Sequence, residues 1–185
     1  MRTVVAVFMV VVALSGLSGF ARADQNDPRL GPLFAQLKAT ANARDGARIA
    51  HSIWAIWFDS KNPAVNALLQ RGQVHLRGNR FGEAAALFGQ VVRMAPGFAE
   101  GWNRRATARY LLGDYAGSLR DIERTLKLEP RHFGALSGRG LVYSKLGRNR
   151  AALAAFEAAL AINPHLPAAR LNIRILRKKL GDKAI

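Results

Sequence analysis

The chain has no cysteine. That excludes disulfides, thiolate metal sites, a cysteine nucleophile and a lipidated cysteine. Acidic residues are scarce: 12 Asp and Glu stand against 28 Lys and Arg, a formal net charge of +16 over 185 residues. Such a field attracts anionic partners, whether lipid headgroups, acidic proteins or nucleic acid. Aromatic residues are few, at 8%. Catalytic patterns are also missing. The histidines are His51, His75, His132 and His165, and no two stand three or four residues apart, so no metal site is expected. There is no Gly-x-Ser-x-Gly elbow and no phosphate loop; Gly138-Arg139-Gly140 falls inside a predicted helix, where glycine permits close packing. Neither enzymatic activity nor a cofactor is expected.

What the chain does have begins with an apolar start. Arg2 precedes an unbroken apolar run from Val4 to Leu14, and Ala21-Arg22-Ala23 sets small residues around a variable one. Residues 1–23 read as an export signal, cleaved after Ala23. The run is shorter than the roughly 20 residues a bilayer span needs, which disfavours the alternative of an N-terminal membrane anchor. Export points to a bacterial periplasm. With Arg2 and Arg22 removed, the formal charge is +14. Export and the few aromatics disfavour nucleic acid, and a solvated arginine-rich surface also accounts for the charge.

The rest of the chain keeps a period. Pro96, Pro130 and Pro164 are spaced by 34 residues. In that frame Leu68, Trp102 and Leu136 coincide, as do Gly72, Ala106 and Gly140. So do Ala84, Ser118 and Ala152, and Phe88, Ile122 and Phe156. Small falls on small, and bulky on bulky. A fixed period of this size signals a repeat architecture. Each period holds two helical patterns, predicted near 64–77 and 81–94, 99–112 and 114–128, and 132–146 and 148–162. Gly78-Asn79, Gly113 and Gly147 mark the turns. Asp114 can cap its helix, and Pro63 suits a first helical turn. Hydrophobic residues make up 50% of the chain, enough for a continuous core.

This register resembles the tetratricopeptide repeat (TPR) family. That pattern places a bulky residue, a small one four positions on, a later small residue, a bulky one four further, and a closing proline. Trp102, Ala106, Ser118, Ile122 and Pro130 supply it in the middle period. Leu136, Gly140, Ala152, Phe156 and Pro164 supply it in the next, with Tyr143 at the family's aromatic position. His75 and Arg109 replace that aromatic in the other two, which is expected to weaken packing there. The resemblance implies an all-α fold, an α-solenoid of antiparallel helix pairs with a C-terminal capping helix. Three repeats are expected over 63–164, as 65–98, 99–132 and 133–164.

The flanks follow from the same frame. Residues 24–62 are read as an entry segment and a degenerate first helix pair. Leu33, Phe34 and Leu37 share one helical face, Asn42 to Gly46 breaks the pattern, and Ile49, Ile53, Ile56 and Trp57 form a second face. Trp54, Trp57 and Phe58 are expected to seal this pair against the next, the alternative being a ligand surface. Residues 165–185 are read as capping helix and tail, with Leu171, Ile175 and Leu176 on the apolar face and Arg170, Arg174, Arg177, Lys178 and Lys179 outside.

Residues at i, i+3, i+7 and i+10 share one side of a helix. In the first helix of each repeat these rows are Asn66, Leu69, Gln73, Leu76; Glu100, Asn103, Thr107, Tyr110; and Gly134, Ser137, Leu141, Ser144. By resemblance they line a concave groove that holds extended peptides or helices, with Arg77 and Lys145 at its edge. Family members can grip a terminal carboxylate with a Lys/Asn/Arg clamp. This chain has Asn103, but Ser137 and Gly138 where further clamp residues would help, which speaks against such a clamp. A second row, Arg71, Arg105 and Arg139, recurs in step. It is either a structural ladder meeting carboxylates such as Asp121 or Glu157, or an anion-binding row.

The functional expectation is a non-catalytic exported scaffold that holds a segment of another protein, in envelope assembly. One alternative is a membrane-surface adaptor using the basic C-terminal helix. Another is an accessory subunit of an enzyme complex. Partner identity and oligomeric state are left open by the sequence.

Overall fold

Asn62 shows how the sequence starts a helix. Its side-chain oxygen accepts from the amides of Ala64 and Val65 at 3.0 and 3.3 Å, and Pro63 takes the position whose amide has no helical partner. The computed structural model describes residues 24–181. Among these, nine α-helices and no strand follow a short 3-10 turn. They are α1 (Leu30–Ala39), α2 (Ala43–Trp57), α3 (Pro63–Arg77), α4 (Phe81–Met94), α5 (Ala99–Leu111), α6 (Tyr115–Leu128), α7 (Phe133–Lys145), α8 (Asn149–Ile162) and α9 (Pro167–Gly181). The expected export signal lies outside the described residues.

Helices α3 to α8 form three antiparallel pairs, α3 with α4, α5 with α6 and α7 with α8. Each pair packs on the next through α4 with α5 and α6 with α7. The pairs turn at Asn79, Gly113 and Gly147, all at positive φ (56°, 81° and 71°), a conformation that costs glycine little and asparagine less than most residues. Asp114 caps α6 by accepting from Gly117 N at 2.8 Å.

The small–bulky register is a packing rule made visible. Gly72 lies against the Phe88 ring, and a methyl at Gly140 would stand 2.8 Å from the Phe156 ring. Both phenylalanines are fully buried. The middle pair reaches the same end with Ala106 and Ile122, also buried: a smaller partner makes room for the methyl.

The middle repeat's departure from the aromatic position is compensated rather than weak. Arg109 donates to Asp121 at 2.9 Å and to the Gly117 carbonyl at 3.3 Å. Asp121 is buried and also takes a two-pronged contact from Arg105 at 2.8 and 2.7 Å. Its equivalents in the other repeats are Leu87 and Ala155. One repeat has thus exchanged an apolar contact for a charge network. Asp121→Leu is expected to lower stability by about 3 kcal/mol, because Arg105 loses its carboxylate and Arg109 keeps only the longer contact to Asp114 at 3.7 Å. Chemical denaturation of wild type and variant measures it; a loss under 1 kcal/mol would mean that solvent replaces the carboxylate.

Two expectations are corrected. Helices α1 and α2 form a hairpin, but the hairpin does not extend the stack as a preceding repeat. Asn42 caps α2 by accepting from Arg44 N and Asp45 N, so the break is shorter than expected and Gly46 lies in the first turn. The apolar face of the hairpin (Leu37, Ile49, Ile53, Ile56, Trp57) packs with Phe133 at the start of α7, with Ile162 and Leu166 nearby. Trp57 stacks on His132 with ring centroids 4.2 Å apart and 8° between planes, and Trp54 meets Phe133 edge-on at 5.5 Å. At the far end, His165 Nε2 lies 3.0 Å from the Thr40 carbonyl, and its ring packs on Gly46. The aromatics do form a seal, but against the third repeat, while Phe58 reaches the core of the first. The hairpin therefore runs along the edge where one repeat passes into the next.

The second correction concerns α9. Its buried face is Ala169, Ile173 and Leu176, packed on α8 residues Ala152 and Phe156. Leu171 and Ile175 are 49% and 54% exposed. Thus α9 stands on α8 as the first helix of a fourth repeat would, and its free surface is not uniformly polar.

Candidate functional site

The first helices of the repeats, α3, α5 and α7, carry the three rows across the inner face. The structure sorts them into an open part and a sealed part. Asn103, Thr107, Tyr110 and Leu141 meet around a crevice of about 70 Å³, together with Ile122, Gly134 and Gly138. On the α7 wall Gly138 has no side chain to fill the crevice, whereas the space beside Gly134 is taken by the Trp54 ring. A methyl at Gly138 would contact only Ile122, at 3.7 Å. Gly138→Ala is therefore expected to raise stability by about 0.5–1 kcal/mol through helix propensity. Thermal unfolding tests this, and a fall in the midpoint would show that the site is tighter than its geometry.

Asn66, Leu69, Gln73 and Arg77 line a second cleft of about 570 Å³, with Phe58 and Asp59 on its opposite wall. It opens between α2 and α3 because the hairpin turns away from the stack. Its polar groups are pre-set. Asn66 accepts from Ser60 N and Ser60 Oγ at 2.9 and 2.6 Å and donates to Asp59 at 3.0 Å. The Lys61 side chain, with help from its amide and from Asn66, holds the Asp59 carboxyl at about 2. Leu76 packs on the first-repeat core. Ser137 and Ser144 are half-buried, and Arg77 and Lys145 are exposed.

Glu100 leaves the groove altogether, correcting the expected row. It is 1% exposed. His132 Nδ1 accepts from Ala135 N at 3.1 Å, capping α7, which leaves Nε2–H to donate to Glu100 at 3.0 Å. Asn103 donates to the same carboxylate at 2.9 Å, and Arg104 pairs with its other oxygen. Burial pushes the Glu100 carboxyl up, but the Arg104 charge and the His132 hydrogen bond outweigh it and hold it below the ordinary value. Arg104 also lies over the rings of Phe58 (4.3 Å) and Trp54 (5.4 Å). The rings of Trp54, Trp57 and Phe58 and three polar side chains, His132, Asn103 and Arg104, thus close over one buried carboxylate. With its amide committed to Glu100, Asn103 is a poor donor for a partner's carboxylate.

Sequence reasoning missed His132 as the centre of this cluster. The available signal was the 34-residue frame, in which Phe98, His132 and Leu166 coincide: a histidine between two apolar residues marks a buried polar group in need of a partner. The arginine row is not uniform. Arg105 pairs with Asp121, whereas Glu157 pairs with Arg177 at 2.9 Å, and Arg71 is exposed.

Paired helices stacked in sequence order, with an inner face carried by the first helix of each pair, define an α-solenoid. A family model for the tetratricopeptide repeat matches residues 69–122 and 104–167. A TPR repeat-containing protein of Rhizobium etli is 37% identical over 153 residues, covering 83% of this chain and 75% of that protein. The chain belongs to the tetratricopeptide repeat family. Tetratricopeptide repeat protein 36 of Bos taurus is 41% identical over 93 residues, and the match spans about half of it (48%). Among solved structures, the first TPR domain of Spaghetti (RPAP3), bound to an HSP90 peptide, superposes with a TM-score of 0.61 at 20% identity. That match covers 63% of this chain and 93% of that one. At this identity the likeness is one of fold.

Proposed function

We propose that this protein is a non-catalytic scaffold whose inner face holds a segment of another protein. The observation that carries the reading is the pair of openings on that face: the crevice around Thr107, Tyr110 and Leu141, and the cleft beside Asn66 and Gln73. Both mix apolar walls with a few fixed polar groups, which suits a side chain of a partner segment. The RPAP3 domain, which shares the fold, was solved with a peptide of HSP90, which supports a peptide-holding role here. Here the carboxylate clamp is not part of the proposal, because Asn103 is engaged by Glu100.

The test is site-specific photocrosslinking. A benzophenone side chain at Thr107 is expected to trap a partner in native cells, and one at exposed Gln90 on α4 is not. Equal yields from the two positions would remove the inner face as the binding surface. Residues 1–23 enter the same proposal as an export signal that delivers the scaffold to the periplasm, where it acts in envelope assembly. Mass spectrometry of the mature N-terminus checks this: a chain starting at Asp24 supports it, and a retained Met1 or Arg2 overturns it.

A further inference from the structure

The 34-residue frame carries the inner face one helix further than the three repeats. Leu171 and Ile175 of α9 fall on the positions of Ser137 and Leu141 in α7. Because α9 packs on α8 through Ala169, Ile173 and Leu176, the two residues share the inner side with α7. Leu141, Leu171 and Ile175 are 37%, 49% and 54% exposed, so the C-terminal half of the inner face carries a run of uncovered aliphatic side chains. Tyr143 of α7 packs against the cluster that holds Ala169, Ile173 and Leu176 of α9, so the two helices stand on the same side of α8, within reach of one partner helix. The rim is basic. Lys145 and Lys179 share a frame position, Lys178 lies beside them, and all three are exposed. Neither α7 nor α9 contains a single acidic residue.

We propose that this half of the inner face seats an acidic amphipathic helix of another protein. Leu141, Leu171 and Ile175 take its apolar stripe, and Lys145, Lys178 and Lys179 take its carboxylates. Charge complementarity selects the occupant. A second copy of this chain would bring lysines to lysines. A flat lipid surface meets the outer side of a solenoid more readily than its inner side. The inference rests on the scaffold reading above and narrows it to one end of the face and one partner chemistry.

The test uses the purified full chain and a fluorescent synthetic helix of about 18 residues, long enough to span two packed helices. It has leucines at i, i+3, i+4 and i+7 and glutamates on both flanks. Comparison probes are the same composition scrambled, the same pattern with lysine for glutamate, and phosphatidylglycerol vesicles. The patterned acidic helix is expected to bind. Leu171→Ser/Ile175→Ser, both at exposed positions, is expected to weaken it about tenfold or more. Lys145→Glu/Lys178→Glu is expected to weaken it and to flatten its salt dependence. Equal binding of the scrambled peptide, unchanged affinity in Leu171→Ser/Ile175→Ser, or binding to vesicles alone would each overturn the proposal. If Thr107→Arg abolishes peptide binding while the α9 variant does not, the scaffold reading stands and this inference falls. If neither variant matters, both fall.

Discussion

Glu100→Ala is expected to cost about 3–5 kcal/mol, because it strands a buried arginine–histidine–asparagine cluster around a missing carboxylate. Arg104 retains only partial access to water, and His132 none. The loss corresponds to a fall of about 10 °C in thermal midpoint for a domain of this size. Since His132 carries Trp57 on its face, tryptophan fluorescence reports the same event as release of the hairpin. A loss under about 1 kcal/mol would show that water enters and replaces the carboxylate.

The pH dependence has a definite sign. The Glu100 carboxyl is held below its ordinary value of 4.5 in the fold. Its contribution to stability is therefore fully present above about pH 4.5 and is lost as pH falls through the folded value. Asp59, at about 2, shifts the same way but lies near the surface and contributes less. Wild type should thus lose stability in acid faster than Glu100→Ala does, and the two denaturation curves should converge as pH drops. Parallel curves down to pH 3 would rule out Glu100 as the titrating group.

Phe156→Ala is expected to be as severe, at about 3–5 kcal/mol, since it empties the space between α7, α8 and α9. Its partner gives a sharper test. Glycine is a poor helix residue, so Gly140→Ala on an open surface would stabilise by up to about 1 kcal/mol. Here the added methyl meets the Phe156 ring at 2.8 Å, and a net loss of about 1–3 kcal/mol is expected instead. The middle repeat already contains the compensated pair, Ala106 with Ile122. Gly140→Ala/Phe156→Ile should therefore recover most of the loss that Gly140→Ala causes alone. Additive losses in the double variant, read by urea denaturation, would mean that the two positions are not coupled across the repeat.

The three helix pairs were legible because their register depends on contacts within one period. Trp102 over Ala106, or Gly72 under Phe88, is a local rule that repeats, and the capping roles of Asn62 and Asp114 are more local still. The hairpin was not legible in the same way. Ile49, Ile53, Ile56 and Trp57 reveal that α2 has an apolar face, but a face does not name its partner. Extending the frame backward supplied the nearest neighbour, whereas the actual partner, Phe133, is some eighty residues away in sequence. In α9 two apolar stripes compete, Ala169-Ile173-Leu176 and Leu171-Ile175. Helical period alone cannot rank them; the 34-residue frame can, because it maps Leu171 onto half-buried Ser137 on the inner row. At the site, Thr107, Tyr110 and Leu141 stood where the rows put them. Glu100 did not, because a side chain's row fixes its direction and not what closes over it.

A stack of identical units tied only to adjacent ones would be free to fray from either end, each unit melting nearly on its own. The hairpin changes that arithmetic. By joining Thr40 and Trp57 to His165 and His132, it makes the first two described helices wait for the third repeat and the segment that follows it. During synthesis its greasy side has no berth until Phe133 has emerged and is fully covered only after Leu166, so the long-range closure comes late. Once made, that closure couples the two extremities, and the array should melt as one cooperative body.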